Sequence, residues 1–281
     1  MTTVNASRLR TGQPAGNIAA TAATWIGGLL LFAPVFWMVL TSFKTEQDAV
    51  ADPPKLFFVP TLAHYAEVFA SGVLGSALNS VVASVSSTLL VVILAVPAAY
   101  ALSVRPVPKS KDALFFFIST KMMPVAAGIV PLYLIARDLN LLNTRLILVI
   151  LYTAMNLPIA IWMVRSFLLE VPLEVLDACR VDGANLWDEL TKVILPIVVP
   201  GVAATALICM IFSWNEFFFA VNLTATRSPT MPIFLVGFIT SEGLYWAKLA
   251  AASTLASLPV ILVGWVAQKQ LVRGLSLGAV K

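Results

Sequence analysis

Apolar residues run along this chain in six long blocks separated by short charged breaks. The uncharged windows are Thr11 to Phe43, Val68 to Val104, Met122 to Ala136, Leu146 to Val164, Val193 to Asn215 and Leu249 to Gln268. Most reach the length of about 20 residues that a helix needs to cross the hydrocarbon core. The third is shorter and makes a full span only by extending back through Lys121 to about Ala113, which places one charge inside the bilayer. The pattern predicts six transmembrane helices over residues 16–270, with no strand and no soluble domain. Every window carries proline, namely Pro34, Pro97, Pro124 with Pro131, Pro158, Pro200 and Pro259. Such kinks are tolerated where neighbours satisfy the freed carbonyls, and they suit a bundle that bends or lines a path.

Composition agrees with that pattern and charge orients it. A mean hydropathy of +0.92 and 59% apolar residues exceed what a soluble core of this size requires. Six spans put both termini on one side. If that side is the cytoplasm, Arg8, Arg10, Arg105, Lys109, Lys111, Arg165, Arg180, Lys192, Lys269, Arg273 and Lys281 lie inside, against Lys44, Lys55, Arg137, Arg145, Arg227 and Lys248 outside. The bias predicts tails 1–15 and 271–281 in the cytoplasm. Arg8 and Arg10 precede an apolar stretch that continues past Trp25 and Trp37 without a cleavage site, so it is an anchor and not a signal peptide. The net charge of +4 follows from topology, and nucleic acid is not needed to explain it. On this topology Leu74 to Asn79 forms a short interfacial helix before the second span, and the turn at Pro53-Pro54 lies in the first outer loop.

Candidate chemistry is sparse. Cys179 and Cys209 fall in a loop and a span, so no disulfide joins them. His64 is an ordinary residue of the first outer loop, without a second histidine or nearby cysteine for a metal. No phosphate-binding Gly-Lys-Ser/Thr loop and no nucleophile elbow occurs, so the chain is not an enzyme and has no means of hydrolysing a nucleotide itself.

Charge concentrates in one inner loop, 169–193, whose centre reads VPLEVLDACRVDGANLWDELTKVILP. Pro172 suits a first helical turn. Leu173, Val175, Leu176 and Cys179 then share a side and leave Glu174, Asp177 and Arg180 toward water. Asp182-Gly183 supplies a turn, and Asn185 caps a second helix that runs through Leu186, Trp187 and Leu190 to Pro196 and into the membrane. A helix pair this small cannot hold itself together in isolation, so it needs a surface, whether a partner or its own bundle.

These residues resemble the cytoplasmic loop of ABC importer permeases, whose pattern is Glu-Ala-Ala, three residues, Gly, nine residues, then Ile-x-Leu-Pro. Here it reads Asp177-Ala178-Cys179, Gly183 and Val193-Ile194-Leu195-Pro196, with the gap of nine intact; Asp182-Gly183-Ala184 resembles the carbohydrate branch. Asp at 177, Cys at 179 and Val at 193 depart from the pattern. Thr41-Ser42-Phe43-Lys44, Asn79-Ser80, the segment Pro97 to Leu102, Pro131-Leu132-Tyr133, Ser213 to Phe217 and the tail Val272 to Lys281 are similar to the second permease of maltose-type importers. The resemblance implies an all-α, type I importer permease in a bacterial inner membrane. It implies a heterodimeric pore with a sister permease, two ATPase subunits and an extracytoplasmic solute-binding protein. ATP and magnesium would be bound by the ATPases, with no cofactor in this chain. The loop would be the coupling helix, and the 271–281 tail, extended and shaped by its partner, would reach toward the ATPases.

Two ionisable residues remain within spans. Lys121 and Glu216 each cost roughly 2.5 to 3.5 kcal/mol on insertion scales, so both are expected to face a hydrated interior or to pair. Trp214 and Asn215 beside Glu216 offer an aromatic face and an amide for a hydroxyl-rich solute. The corresponding stretch of the sister subunit in maltose-type importers lines the sugar site, whereas the subunit resembling this chain contributes little there. The segment Thr240 to Lys281 looks closest to sorbitol and mannitol permeases, which favours a polyol. The competing readings are an ion-gradient transporter, which needs mid-membrane coupling carboxylates, and a scaffold whose loop binds some other protein.

Overall fold

The computed structural model describes residues 18–105, 107–240 and 243–277. Arg8, Arg10 and the rest of the N-terminal tail through residue 15, with residues 278–281 of the C-terminal tail, lie outside the described residues. Among the described residues the regular structure is helical apart from one short hairpin. Among the described residues, five helices are long and apolar enough to cross a membrane: α1 (Ile18–Thr41), α4 (Val73–Ser103), α7 (Arg145–Leu168), α10 (Leu195–Trp214, continuous with the turns from Leu186) and α13 (Trp246–Leu277).

The expected third span is broken. It consists of α5 (Ser110–Thr120) and α6 (Val125–Asp138), bent 90° to each other. Pro124 explains the break, because it lacks an N–H and disfavours helical geometry at the residue before it. Lys121 therefore caps α5 at the bend, and its Nζ donates to the Met155 carbonyl at 2.8 Å.

Two shorter expectations also change. Leu74 to Asn79 is the first stretch of α4, a continuous helix of 31 residues, roughly 46 Å at 1.5 Å per residue. The short helices before it are α2 (Glu46–Ala49) and α3 (Ala63–Ala70). His64 lies buried in α3, with Nδ1 3.9 Å from the Glu67 carboxylate. The hairpin pairs Ile239 with Leu244 and Thr240 with Gly243, a strand contact that four residues were too few to announce by alternation.

The centre of the bundle is α4 packed along α7, with α10 against both and α13 on α10. Val91, Ala95, Ala99, Ile161, Val164 and Ile194 form one buried cluster; Leu148, Leu151, Tyr152 and Phe219 form another toward the opposite end. Small residues let these helices approach closely. At Gly201 of α10 a Cβ would lie 2.3 Å from the Phe167 ring of α7. Ser87, Asn156 and Ser213 tie α4, α7 and α10 through hydrogen bonds of 3.2 Å (Ser87 to Ser213) and 2.9 Å (Asn156 Nδ2 to Ser213).

At the α2 end the connections are pinned by side chains. The Glu46 carboxylate accepts from the N–H groups of Ala247 and Lys248, capping α13 at its positive end. Asn79 donates to the Pro229 carbonyl and accepts from Arg145, while the Ser80 hydroxyl accepts from the Met231 N–H. Helix α1 packs mainly on α13, and its apolar window is left uncovered.

Candidate functional site in the loop between α7 and α10

The loop begins with α8 (Leu173–Val181), carrying Asp177, Ala178 and Cys179. Of the four residues expected on one apolar side, Leu176 and Cys179 are buried against the bundle while Leu173 and Val175 are exposed, as are Asp177 and Ala178. Asp182 caps α8 at its C-terminus, and Gly183 follows at φ +82°. That left-handed conformation strains any residue with a Cβ. A Cβ at Gly183 would meet nothing within 4 Å, so the turn faces open space.

Asn185 then starts α9 (Leu186–Asp188), its Oδ1 accepting from the N–H groups of Trp187 at 2.9 Å and Asp188 at 3.0 Å. The chain continues as a π-helical segment, Glu189–Ile194, and passes without interruption into α10 at Leu195 and Pro196. Leu195 is half-buried and Pro196 exposed. Such π segments are rare and concentrate at functional sites. Glu174, Ala178, Cys179, Asp182, Ala184 and Val193 bound an open concavity of about 530 Å³ on this loop. Ala178, Cys179, Asp182 and Ala184 of the expected motif thus share one surface with Glu174, whereas Asp177, Gly183, Leu195 and Pro196 do not line it.

Arg180 is exposed, as expected, but its guanidinium turns toward the bundle. Its Nε and Nη2 donate to the two oxygens of Glu189 at 3.2 and 3.1 Å. Glu189 is wholly buried, and its carboxylate also accepts from Tyr100 of α4 and from Arg105 just beyond α4, both at 2.9 Å. The carboxylate holds the Arg105 and Arg180 guanidiniums above their usual pKa range. Glu189 is one of the charges in the loop sequence, and its inward direction is not legible from that sequence. Tyr100 and Arg105 lie 89 and 84 positions away, beyond any local pattern.

The residues expected along a substrate path are dispersed. Trp214 is buried, and its Nε1 donates to the Ala256 carbonyl at 3.2 Å. Trp214 and Asn215 do border a cavity of about 410 Å³ between α10, α12 (Met231–Val236) and α13. Glu216 is instead spent locally, its carboxylate accepting from the N–H groups of Phe219 and Ala220 and so capping α11 (Phe218–Leu223). Lys121 and Glu216 form no salt bridge; each finds a backbone partner of its own. Cys179 and Cys209 are both buried and free.

These features define a helical membrane bundle that carries a short helix and an open glycine turn at one end. The chain belongs to the family described as binding-protein-dependent transport system inner membrane component, whose model matches residues 68–276, and is the permease component of an ABC transporter. It is 39% identical to the probable ABC transporter permease protein y4oR of Sinorhizobium fredii, across 88% of this chain and 90% of the relative. It is 31% identical to the sulfoquinovosyl glycerol transport system permease protein SmoH of Agrobacterium fabrum, across 96% and 94%. Among solved structures, a chain of a bacterial ABC transporter that imports the acidic polysaccharide alginate superimposes with a TM-score of 0.73 at 25% identity, covering 90% of this chain and 95% of that one.

Proposed function

We propose that this chain is one of two permease subunits of an ATP-driven importer for a carbohydrate, with a sugar alcohol as the favoured cargo. It sits in a bacterial inner membrane with both termini in the cytoplasm. The loop of α8, Gly183 and α9 is its seat on one of two ATPase subunits, which hold ATP and magnesium; a solute-binding protein delivers cargo at the α2 end. The observation that carries this reading is the loop itself. Gly183 leaves its turn open, α8 is anchored from behind, and Glu174, Asp177 and Asp182 stand exposed for a cationic counterpart. The uncovered window of α1 is where the sister permease or lipid would lie. The 271–281 tail reaches toward the ATPase pair; it leaves the bundle as helix at least to Leu277, not as the extended segment first expected.

The carbohydrate reading draws support from relatives named for sulfoquinovosyl glycerol, diacetylchitobiose and trehalose transport. The narrower choice of a sugar alcohol rests on the resemblance of the Thr240 to Lys281 segment to polyol permeases. Purification from native membrane tests the assembly, with an ATPase, a second permease and a binding protein as the expected companions. Calorimetric titration of that binding protein with sorbitol, mannitol, trehalose and alginate oligosaccharides tests the cargo, and tight binding of an oligosaccharide but no polyol would overturn the finer reading.

A further inference from the structure

The Glu189 carboxylate sits where three separate segments meet. Arg180 reaches it from α8, Arg105 from just beyond α4 and Tyr100 from α4 itself, while Glu189 opens the π segment that leads into α10. Two donors serve each oxygen, and Arg180 binds bidentately, the geometry that restricts orientation most. Without this cluster, α8 would rest on the bundle largely through apolar contacts such as Leu176, which is 2% exposed. Apolar contacts are non-directional and permit sliding.

Stability alone does not account for such an arrangement. Well-packed apolar residues replace buried ion clusters with no net loss in many proteins, so a buried carboxylate with two arginines is poorly explained as glue. What it provides here is register, since α8 cannot rotate or slide without breaking charge-assisted hydrogen bonds to two other segments.

We propose that Glu189 is the positioning residue of the loop: it locks α8 to the inner end of α4 and the start of α10, so that a push on α8 moves both spans as one body. This rests on the reading of the loop as the ATPase seat. Arg180 then serves the permease's own lock and is not a contact offered to the ATPase. Asp177, 3.5 Å from Arg180, steadies the outer side of the same guanidinium.

The experiment uses the whole complex, purified with its sister permease, ATPases and binding protein. Cys179 and Cys209 are replaced by alanine, and spin labels are placed at Leu173→Cys on α8 and Val107→Cys beyond α4, both exposed positions outside the cluster. The distance between labels is measured without nucleotide and with Mg-ATP and vanadate, in otherwise unaltered and Glu189→Gln complexes. The unaltered complex should give one narrow distance that nucleotide does not change. Glu189→Gln should keep its ATPase but broaden the distance and make it nucleotide-dependent, with binding-protein-stimulated hydrolysis reduced at least about fivefold. A narrow, unchanged distance in Glu189→Gln overturns the lock while leaving the coupling reading intact. Failure of the unaltered complex to retain an ATPase overturns the coupling reading itself, before any Glu189 variant is read. Should Glu189→Gln not assemble, the triple variant Glu189→Leu, Arg180→Leu, Arg105→Leu decides: assembly with lost stimulation supports the lock, and assembly with normal stimulation overturns it.

Discussion

Gly183 and Glu67 show how single residues set local conditions at the two ends of the bundle. Gly183 is at φ +82° with open space around its missing Cβ, so its replacement strains the turn and fills the approach at once. Gly183→Ala should cost about 1 kcal/mol of local strain and leave partial activity. Gly183→Trp should cut ATPase retention and uptake at least about tenfold, with membrane insertion and permease pairing intact. Pull-down and vesicle uptake check this, and normal values for both would make the loop a passive surface helix. At the opposite end Lys248 donates to Glu67 at 2.6 Å and holds its carboxyl below the usual carboxylate range. A depressed folded-state pKa contributes stability above the unfolded value of about 4.3 and loses it as pH falls through the folded value. Glu67→Gln should therefore lower the melting temperature in detergent slightly at pH 7 and not at pH 3. The effect is small because half of the Glu67 side chain is exposed.

At the scale of elements, close approach of α7 and α10 is the feature most open to test. A methyl at Gly201 would fall 2.3 Å from Phe167, inside any real contact distance. Gly201→Ala should destabilise by about 1 to 3 kcal/mol, the range for overpacked sites. Phe167→Leu in the same chain should recover much of the loss. Melts of the detergent-solubilised chain check both, and a silent Gly201→Ala would mean that the two helices part at no cost. The broken α5–α6 pair follows from the same local reasoning. Pro124 and the residue before it stop one helix, and Lys121 at the break finds the Met155 carbonyl rather than an acidic partner. Lys121→Met should consequently be no worse alone than combined with Glu216→Gln, since the two side chains have separate partners. A rescue by the second substitution in uptake assays would contradict the separate partners seen here.

Across the whole molecule, the proposed orientation puts the loop between α7 and α10 on one side of the membrane and the α2 end on the other. Cysteines placed at Asp52 and Lys109, in a chain lacking Cys179 and Cys209, should label from opposite sides of the membrane. Labelling of both from one side would refute the proposed orientation. Among the described residues little covers α1, a helix with Trp25, Leu30 and Leu31 largely exposed. In a membrane that surface can meet lipid or a second permease without cost, which is why this chain can be apolar on its outside and still be ordered.

Membrane class, the number of apolar blocks and the helix–turn–helix form of the loop between α7 and α10 were legible in the sequence, because each rests on short-range physics. Hydrocarbon forces the backbone into helices, and Pro172, Gly183 and Asn185 act within a turn or two of where they stand. The short hairpin at Ile239 and Leu244 was too brief to show, and the 90° bend was misjudged because one apolar window can be read as a span when a proline inside it decides otherwise. Only the tertiary structure determined where the charges point. Glu189, Arg105 and Tyr100 are joined by packing of α4 against α7 and α10, and Lys121 and Glu216 are kept apart by it. A buried carboxylate takes whichever donors the fold brings within 3 Å, since leaving it unpaired costs several kcal/mol, and that choice is made across some 80 residues of intervening chain rather than along it.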